Sequence, residues 1–199
     1  MRIGILGTGA LARALGAMWA QAGHELLIAG RSHEKAVRLA KELGAEAVTP
    51  HEAVAGRDAV LLAVAWDGVA DILREAGDLA GTPLIDPTNA VEHGVGVLLT
   101  EGSMAGRVAA LAPGAQVVKA FHLFPAEQWA PGAAPVTVAM CGDDPEALRV
   151  AGELARDAGG VPAVLGRLER ARQLEEVAGF VIGMAFAGLD PNAAIPKVA

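Results

Sequence analysis

At 199 residues the chain suits one main domain with a small extension; it is 53% hydrophobic, 4% aromatic and lacks Tyr, so its core must be built from Ala, Val, Leu and Ile. Its net charge of −7 at pH 7 argues against general nucleic-acid binding, so any positive charge that meets a phosphate must be local. The single Cys141 excludes an intrachain disulfide and a cysteine-based zinc cluster.

Arg2 to Leu6 is an apolar strand that runs into Gly7-Thr8-Gly9-Ala10-Leu11-Ala12, and a helix over about Ala10–Ala22 follows at once. A G-x-G-x-x-A turn between a strand and a helix is the dinucleotide fingerprint in its required context. Gly7 allows the tight turn, Gly9 lets the backbone approach a pyrophosphate, and Ala12 keeps the helix close to the strand. The N–H groups at the helix start then face the phosphates. The second strand, Glu25–Ala29, ends in Gly30-Arg31-Ser32. An acidic residue there would hold a ribose 2′-OH; Arg31 and Ser32 instead suit a 2′-phosphate, with Lys35 one turn into the next helix as a third contact. The expected ligand is NADP(H) rather than NAD(H).

Helix two is expected over His33–Leu43 and a short strand over Ala45–Val48. Ala59 to Val64 is a continuous apolar run, as in a buried parallel strand. Asp67 is read as the cap of a helix reaching about Leu79, and Pro83–Asp86 as the fifth strand. A glycine-rich segment and a helix near Met104–Leu111 precede a strand at Gln116–Ala120. Val136–Cys141 is another strand, and Asp144-Pro145 begins a helix that runs to about Ala158. A last strand at Val161–Leu165 leads to one closing helix over about Arg167–Gly188. This alternation predicts an α/β fold: a doubly wound, Rossmann-type, mostly parallel sheet over residues 1–166, with a small C-terminal helical extension over 167–199. The apolar start carries the glycine turn and reads as a strand, not a secretory leader. The apolar stretch from Val177 to Leu189 is too short to span a bilayer, so a cytoplasmic protein without membrane insertion is expected.

Ligands of such sheets sit at the carboxyl ends of the strands. That rim collects Ala65, Trp66 and Asp67 after strand four, Asp86, Thr88 and Asn89 after strand five, and Lys119 to Phe124 after strand six. Two readings stand for most of them. Trp66 caps the sheet or flanks the cofactor; Asp86 is a turn acceptor or a catalytic group; His122 is a structural histidine or a ligand contact. Lys119 inside a strand favours a role, against a stem that snorkels to the surface. His24, His33 and His51 read as solvated turn residues, and Trp129 as a cleft wall or a turn anchor.

Several ordered segments resemble the F420-dependent NADP oxidoreductase family: Gly7-Thr8-Gly9, Ala22-Gly23-His24-Glu25, Gly30-Arg31-Ser32, Ala65-Trp66-Asp67, Asp86-Pro87-Thr88-Asn89, Val118-Lys119-Ala120-Phe121-His122 and Ala171-Arg172-Gln173-Leu174-Glu175. The resemblance implies hydride transfer between NADP(H) and the deazaflavin coenzyme F420, and a C-terminal part that helps to make a homodimer. It implies pyrophosphate contacts at Thr8, Gly9, Ala10 and Leu11, and 2′-phosphate contacts at Arg31, Ser32 and Lys35. It further implies a nicotinamide neighbourhood at Ala65, Trp66 and Asn89, and an acceptor site at Lys119, Phe121, His122 and Phe124. Many members read Ala-Phe-Asn where this chain has Ala120-Phe121-His122, which leaves the acceptor open: a flavin, a quinone or ferric iron are the alternatives. His122 is the one candidate for a proton donor, and no metal is expected. An NADPH-binding sensor without turnover is the rival from another class. The closing helix is apolar nearly all round from Phe180 to Phe186, so a partner subunit is expected to cover one side.

Overall fold

The structure, a computed structural model, describes residues 1–92, 95–98 and 101–196. The last three residues of the expected extension, 197–199, lie outside them. Among the described residues the strands are β1 (Arg2–Leu6), β2 (Glu25–Ala29), β3 (Glu46–Ala47), β4 (Ala59–Leu62), β5 (Pro83–Asp86), β6 (Gln116–Lys119), β7 (Thr137–Gly142) and β8 (Val161–Val164). The helices are α1 (Ala10–Gln21), α2 (His33–Leu43), α3 (Pro50–Val54), α4 (Val69–Ala76), α5 (Met104–Leu111), α6 (Pro145–Asp157) and α7 (Ala171–Phe186).

The strands form one sheet in the order β3-β2-β1-β4-β5-β6-β7-β8. Each neighbouring pair is parallel except β6 with β7. The chain leaves β1 toward one edge and later returns beside it with β4, which puts the order switch between β1 and β4 at the glycine turn. The pleat sends alternate residues of β4 to opposite faces. Ala59 and Leu61 join a core made with α1, α2 and α6, whereas Val60 and Leu62 join one made with α3, α4, α5 and α7. The expected doubly wound fold is therefore present.

Local chemistry accounts for the element ends. Ser32 caps α2 by accepting from the Lys35 N–H, and Gly44 closes it with φ 66°. Asp144 caps α6 with Pro145 in its first turn. Several boundaries differ from the expectations. Asp67 caps no helix: it lies in a 3-10 turn, Trp66–Gly68, and α4 starts at Val69. That helix stops at Ala76, not Leu79, because Gly77 adopts φ 79°. The expected closing helix divides into a 3-10 turn, Leu168–Arg170, and α7. His24 is no solvated turn residue, since its side chain is only 8% exposed and pairs with Asp157 of α6 at 2.8 Å. Among the described residues, no helix is long and apolar enough to cross a membrane.

Candidate active site

A cleft of about 230 Å³ opens over the carboxyl ends of β1, β2 and β4. Its walls are Gly7–Gly9, Gly30–Ser32 with Lys35, and Ala63–Ala65. The fold thus gathers residues that are far apart in sequence. Gly7 has φ 139°, and a Cβ there would lie 1.9 Å from the Ala63 carbonyl oxygen, so β1 and β4 approach this closely only through glycine. Gly9 is different: a Cβ there would meet nothing within 4 Å among the described residues. The space in front of it is open. Gly9 is also the N-cap of α1 and offers no side-chain acceptor, while Arg13 N–H is the first to bond back to it. The N–H groups of Ala10, Leu11 and Ala12 therefore keep their capacity for a ligand at the positive end of the helix.

Across the cleft, the Arg31 guanidinium carbon lies 3.9 Å from where a Cβ on Gly68 would sit. The arginine thus reaches from the end of β2 toward the turn after β4. Ser32 Oγ accepts from Lys35 N–H at 3.3 Å and keeps its own hydrogen for donation. Lys35 is exposed at the start of α2. Open backbone at Gly9, free N–H groups and three donor side chains at the end of β2 fit a dinucleotide with an extra phosphate.

The rim after β5 and β6 is built differently. Asp86 and Lys119 are register partners in adjacent strands, and both are fully buried. The Lys119 ammonium pairs with Asp86 at 3.1 Å and with Glu175 of α7 at 2.9 Å, and it donates to the Thr88 carbonyl. Asp86 Oδ1 accepts from the Thr88 N–H at 2.9 Å and from its hydroxyl at 2.5 Å. Glu175 also accepts from Met104 and Ala105 N–H, so it caps α5. Every charge in this network has oppositely polarised neighbours, as burial demands. Lys119 neither snorkels nor reaches a rim surface; its ammonium is spent inside the protein. Asp86 is both turn acceptor and ion-pair partner.

Phe121 is turned into the core at 2% exposure, between Trp19 at 6.0 Å and Trp129 at 5.2 Å between ring centroids, both edge-on. Phe121, expected in the acceptor site, thus packs between these two tryptophans. Phe121 is also the one non-glycine with positive φ among the described residues, at 59°. Phe124 stays half-buried and edge-on to Trp129 at 6.2 Å, so Trp129 is an anchor of the turn. Trp66 is half-buried against the second core, outside the lining of the cleft.

His122 is 7% exposed, and neither ring nitrogen has a partner in hydrogen-bond geometry among the described residues. Burial, helped by the Lys119 charge and opposed by the nearby backbone of Leu174, lowers its pKa to about 3. It is a neutral imidazole at ordinary pH and holds no proton to release as an imidazolium. Burial pushes the Cys141 thiol up to about 11, which makes it inert. Asn89 Nδ2 donates to the His122 carbonyl at 2.7 Å, and Asn89 Oδ1 has no donor among the described residues. Among the described residues, the buried side-chain polar atoms without partners are those of Asn89, His122 and Trp129, on or beside this one rim. Such clustering marks a ligand-facing region more readily than a packing fault.

Sequence reasoning singled out the rim but missed Glu175 as a working part. Its signal was an acid at the spacing of the buried Ala171, Leu174 and Ala178 on α7.

Residues 2–90, from β1 through the loop after β5, match the family model described as NADP oxidoreductase coenzyme F420-dependent. The chain is 30% identical to an F420-dependent NADP reductase of Methanothermobacter thermautotrophicus, with 98% of this chain and 94% of that protein aligned. It is 32% identical to the rat metalloreductase STEAP3 over 88% of this chain, but it spans only 36% of that protein's length. Among solved structures, a putative F420-dependent NADP-reductase from Arthrobacter sp. FB24 superposes with a TM-score of 0.81 at 22% identity, covering 94% and 95% of the two chains. A reductive aminase from Aspergillus terreus superposes with a TM-score of 0.72 at 22% identity, where 94% of this chain covers 62% of that one. The chain belongs to the coenzyme F420-dependent family of NADP oxidoreductases, and so to the NADP-dependent oxidoreductases.

Proposed function

We propose that the chain binds NADP(H) in the cleft over β1, β2 and β4 and exchanges hydride with a planar ring acceptor at the rim after β5 and β6. The open space at Gly9, beside the uncapped start of α1 and facing Arg31 and Ser32, carries this reading. Thr8, Gly9, Ala10 and Leu11 hold the pyrophosphate, and Arg31, Ser32 and Lys35 hold the 2′-phosphate. Ala65, Trp66 and Asn89 flank the nicotinamide, and His122 and Phe124 meet the acceptor. Bound NADP(H) supplies a transferable hydride at the nicotinamide C4. The protein contributes proximity, a chosen ring face and exclusion of water. With its ring neutral, His122 offers hydrogen bonds rather than a charged acid, so ring protonation of the acceptor draws on solvent. The family name and the Methanothermobacter relative favour the deazaflavin F420 as acceptor. The likeness to a rat metalloreductase favours a second reading, in which a flavin takes the hydride and passes single electrons to ferric iron.

NADPH oxidation, followed by its near-ultraviolet absorbance, tests both readings when F420, FMN, a quinone and a ferric chelate are offered in parallel. Turnover with F420 alone is expected. Iron reduction that depends on added flavin selects the second reading, and tight NADPH binding without any turnover selects a sensor.

A further inference from the structure

The hydride-transfer reading leaves the buried ion network unused, yet this network controls one atom of the rim. Thr88 is held from three sides. Its N–H and hydroxyl donate to Asp86, and its carbonyl receives the Lys119 ammonium. Glu175 balances the ammonium from α7 and is itself stabilised by two N–H groups at the start of α5, so Lys119 keeps its place without solvent. Asn89 follows Thr88 directly. Its Nδ2 donates to the His122 carbonyl at 2.7 Å. A carbonyl only accepts, so this bond fixes which end of the Asn89 amide is nitrogen. Oδ1 is therefore a committed acceptor, buried and without a donor among the described residues.

A dinucleotide lying along the carboxyl edge, with its adenosine phosphate at β2, brings its other end past β4 to β5. At that end its amide donors are those of the nicotinamide carboxamide. We propose that Lys119 is a positioning residue that acts through Asp86 and the Thr88 carbonyl to hold Asn89, whose Oδ1 accepts a hydrogen bond from the nicotinamide carboxamide. The proposal rests on the reading that the cleft takes NADP(H).

Equilibrium titrations with NADPH and with 2′-phospho-ADP-ribose, which lacks the nicotinamide, test it. Asn89→Ala is expected to weaken NADPH about three- to tenfold, the size of one hydrogen bond, and to leave the fragment unchanged. Lys119→Met is expected to show the same selective loss. The double variant should lose no more selectivity than Lys119→Met alone, because residues that act in series do not add. Thr88→Val keeps the side-chain shape and drops the hydroxyl donor to Asp86. It is expected to give a smaller loss of the same kind and serves where Lys119→Met does not fold. Equal losses for both ligands, or selectivity losses that add in the double variant, overturn the proposal. Fragment binding in the wild type with no selective loss in Asn89→Ala overturns this inference alone. If the wild type binds neither ligand, the NADP(H) reading falls and takes the inference with it.

Discussion

Arg31 and His122 show what single residues contribute here. Arg31 reaches across the cleft toward Gly68, while the position that would otherwise carry an acid is Gly30. A guanidinium pairs with a phosphate through charge-assisted bonds that a hydroxyl does not provide. Arg31→Ala is therefore expected to weaken NADPH by about ten- to a hundredfold and to leave NADH nearly unchanged in parallel binding titrations. Equal losses would show that Arg31 does not read the 2′-phosphate. His122 bears on stability. Its pKa falls from 6.5 to about 3 in the folded protein, mainly through burial and then through the Lys119 charge. The unfolded chain thus binds the extra proton between those values, and folding is favoured fully only above pH 6.5. As pH drops toward 3 the protein loses stability, by several kcal/mol in the limit. His122→Asn is expected to flatten this acid slope in urea unfolding at a series of pH values. A slope unchanged from wild type would assign the acid loss to other groups.

At the scale of elements, backbone glycines decide how closely α7 seats. The turn at Val95 and Gly96 lies against α7 where Gly179 and Gly183 face it. A Cβ on Gly179 would stand 2.3 Å from the Gly96 carbonyl oxygen, which is backbone and cannot swing aside. Gly152, inside α6, has room, with Pro162 at 3.6 Å from the added atom. Gly179→Ala is therefore expected to destabilise by about 1–3 kcal/mol through overpacking. Gly152→Ala should stabilise by about 0.5–1 kcal/mol through helix propensity. Thermal unfolding of the two variants checks both signs. Most elements were legible because period and caps agreed: β1, β2, β5, α2 and α5 fall where the apolar runs, Ser32 and Gly44 place them. The five-residue α3 was not, since it is shorter than any helical period; the capping box of Thr49 and Glu52 with Pro50 makes it. Gly77 was a stop signal passed over, and the length expected for α4 was too great for that reason.

For the molecule as a whole, the cleft side of the site was more legible than the acceptor side. Gly7, Gly9, Arg31 and Ser32 line one cleft, and the backbone shape and charge they bring to it are what a motif records. Phe121 and Lys119 depend on which way a strand end turns, and Glu175 on a helix that arrives more than fifty residues after β6. Local sequence does not hold that information. The same helix bears on assembly. Its inner face buries Ala171, Leu174 and Ala178, while Phe180 and Phe186 stand 48% and 62% exposed, with Val95 and Val97 also exposed on the neighbouring turn. Large apolar side chains grouped at a surface mark an interaction site, and a second copy of the same face is the simplest cover. Phe180→Asp and Phe186→Asp each place a carboxylate where such an interface would have to desolvate it without a partner, at a cost of several kcal/mol. Both residues are exposed in the single chain, so folding should survive. Sedimentation equilibrium is expected to find a wild-type dimer and monomers for the two variants, each still binding NADPH. Dimers of undiminished affinity from both variants would move the interface elsewhere on the molecule.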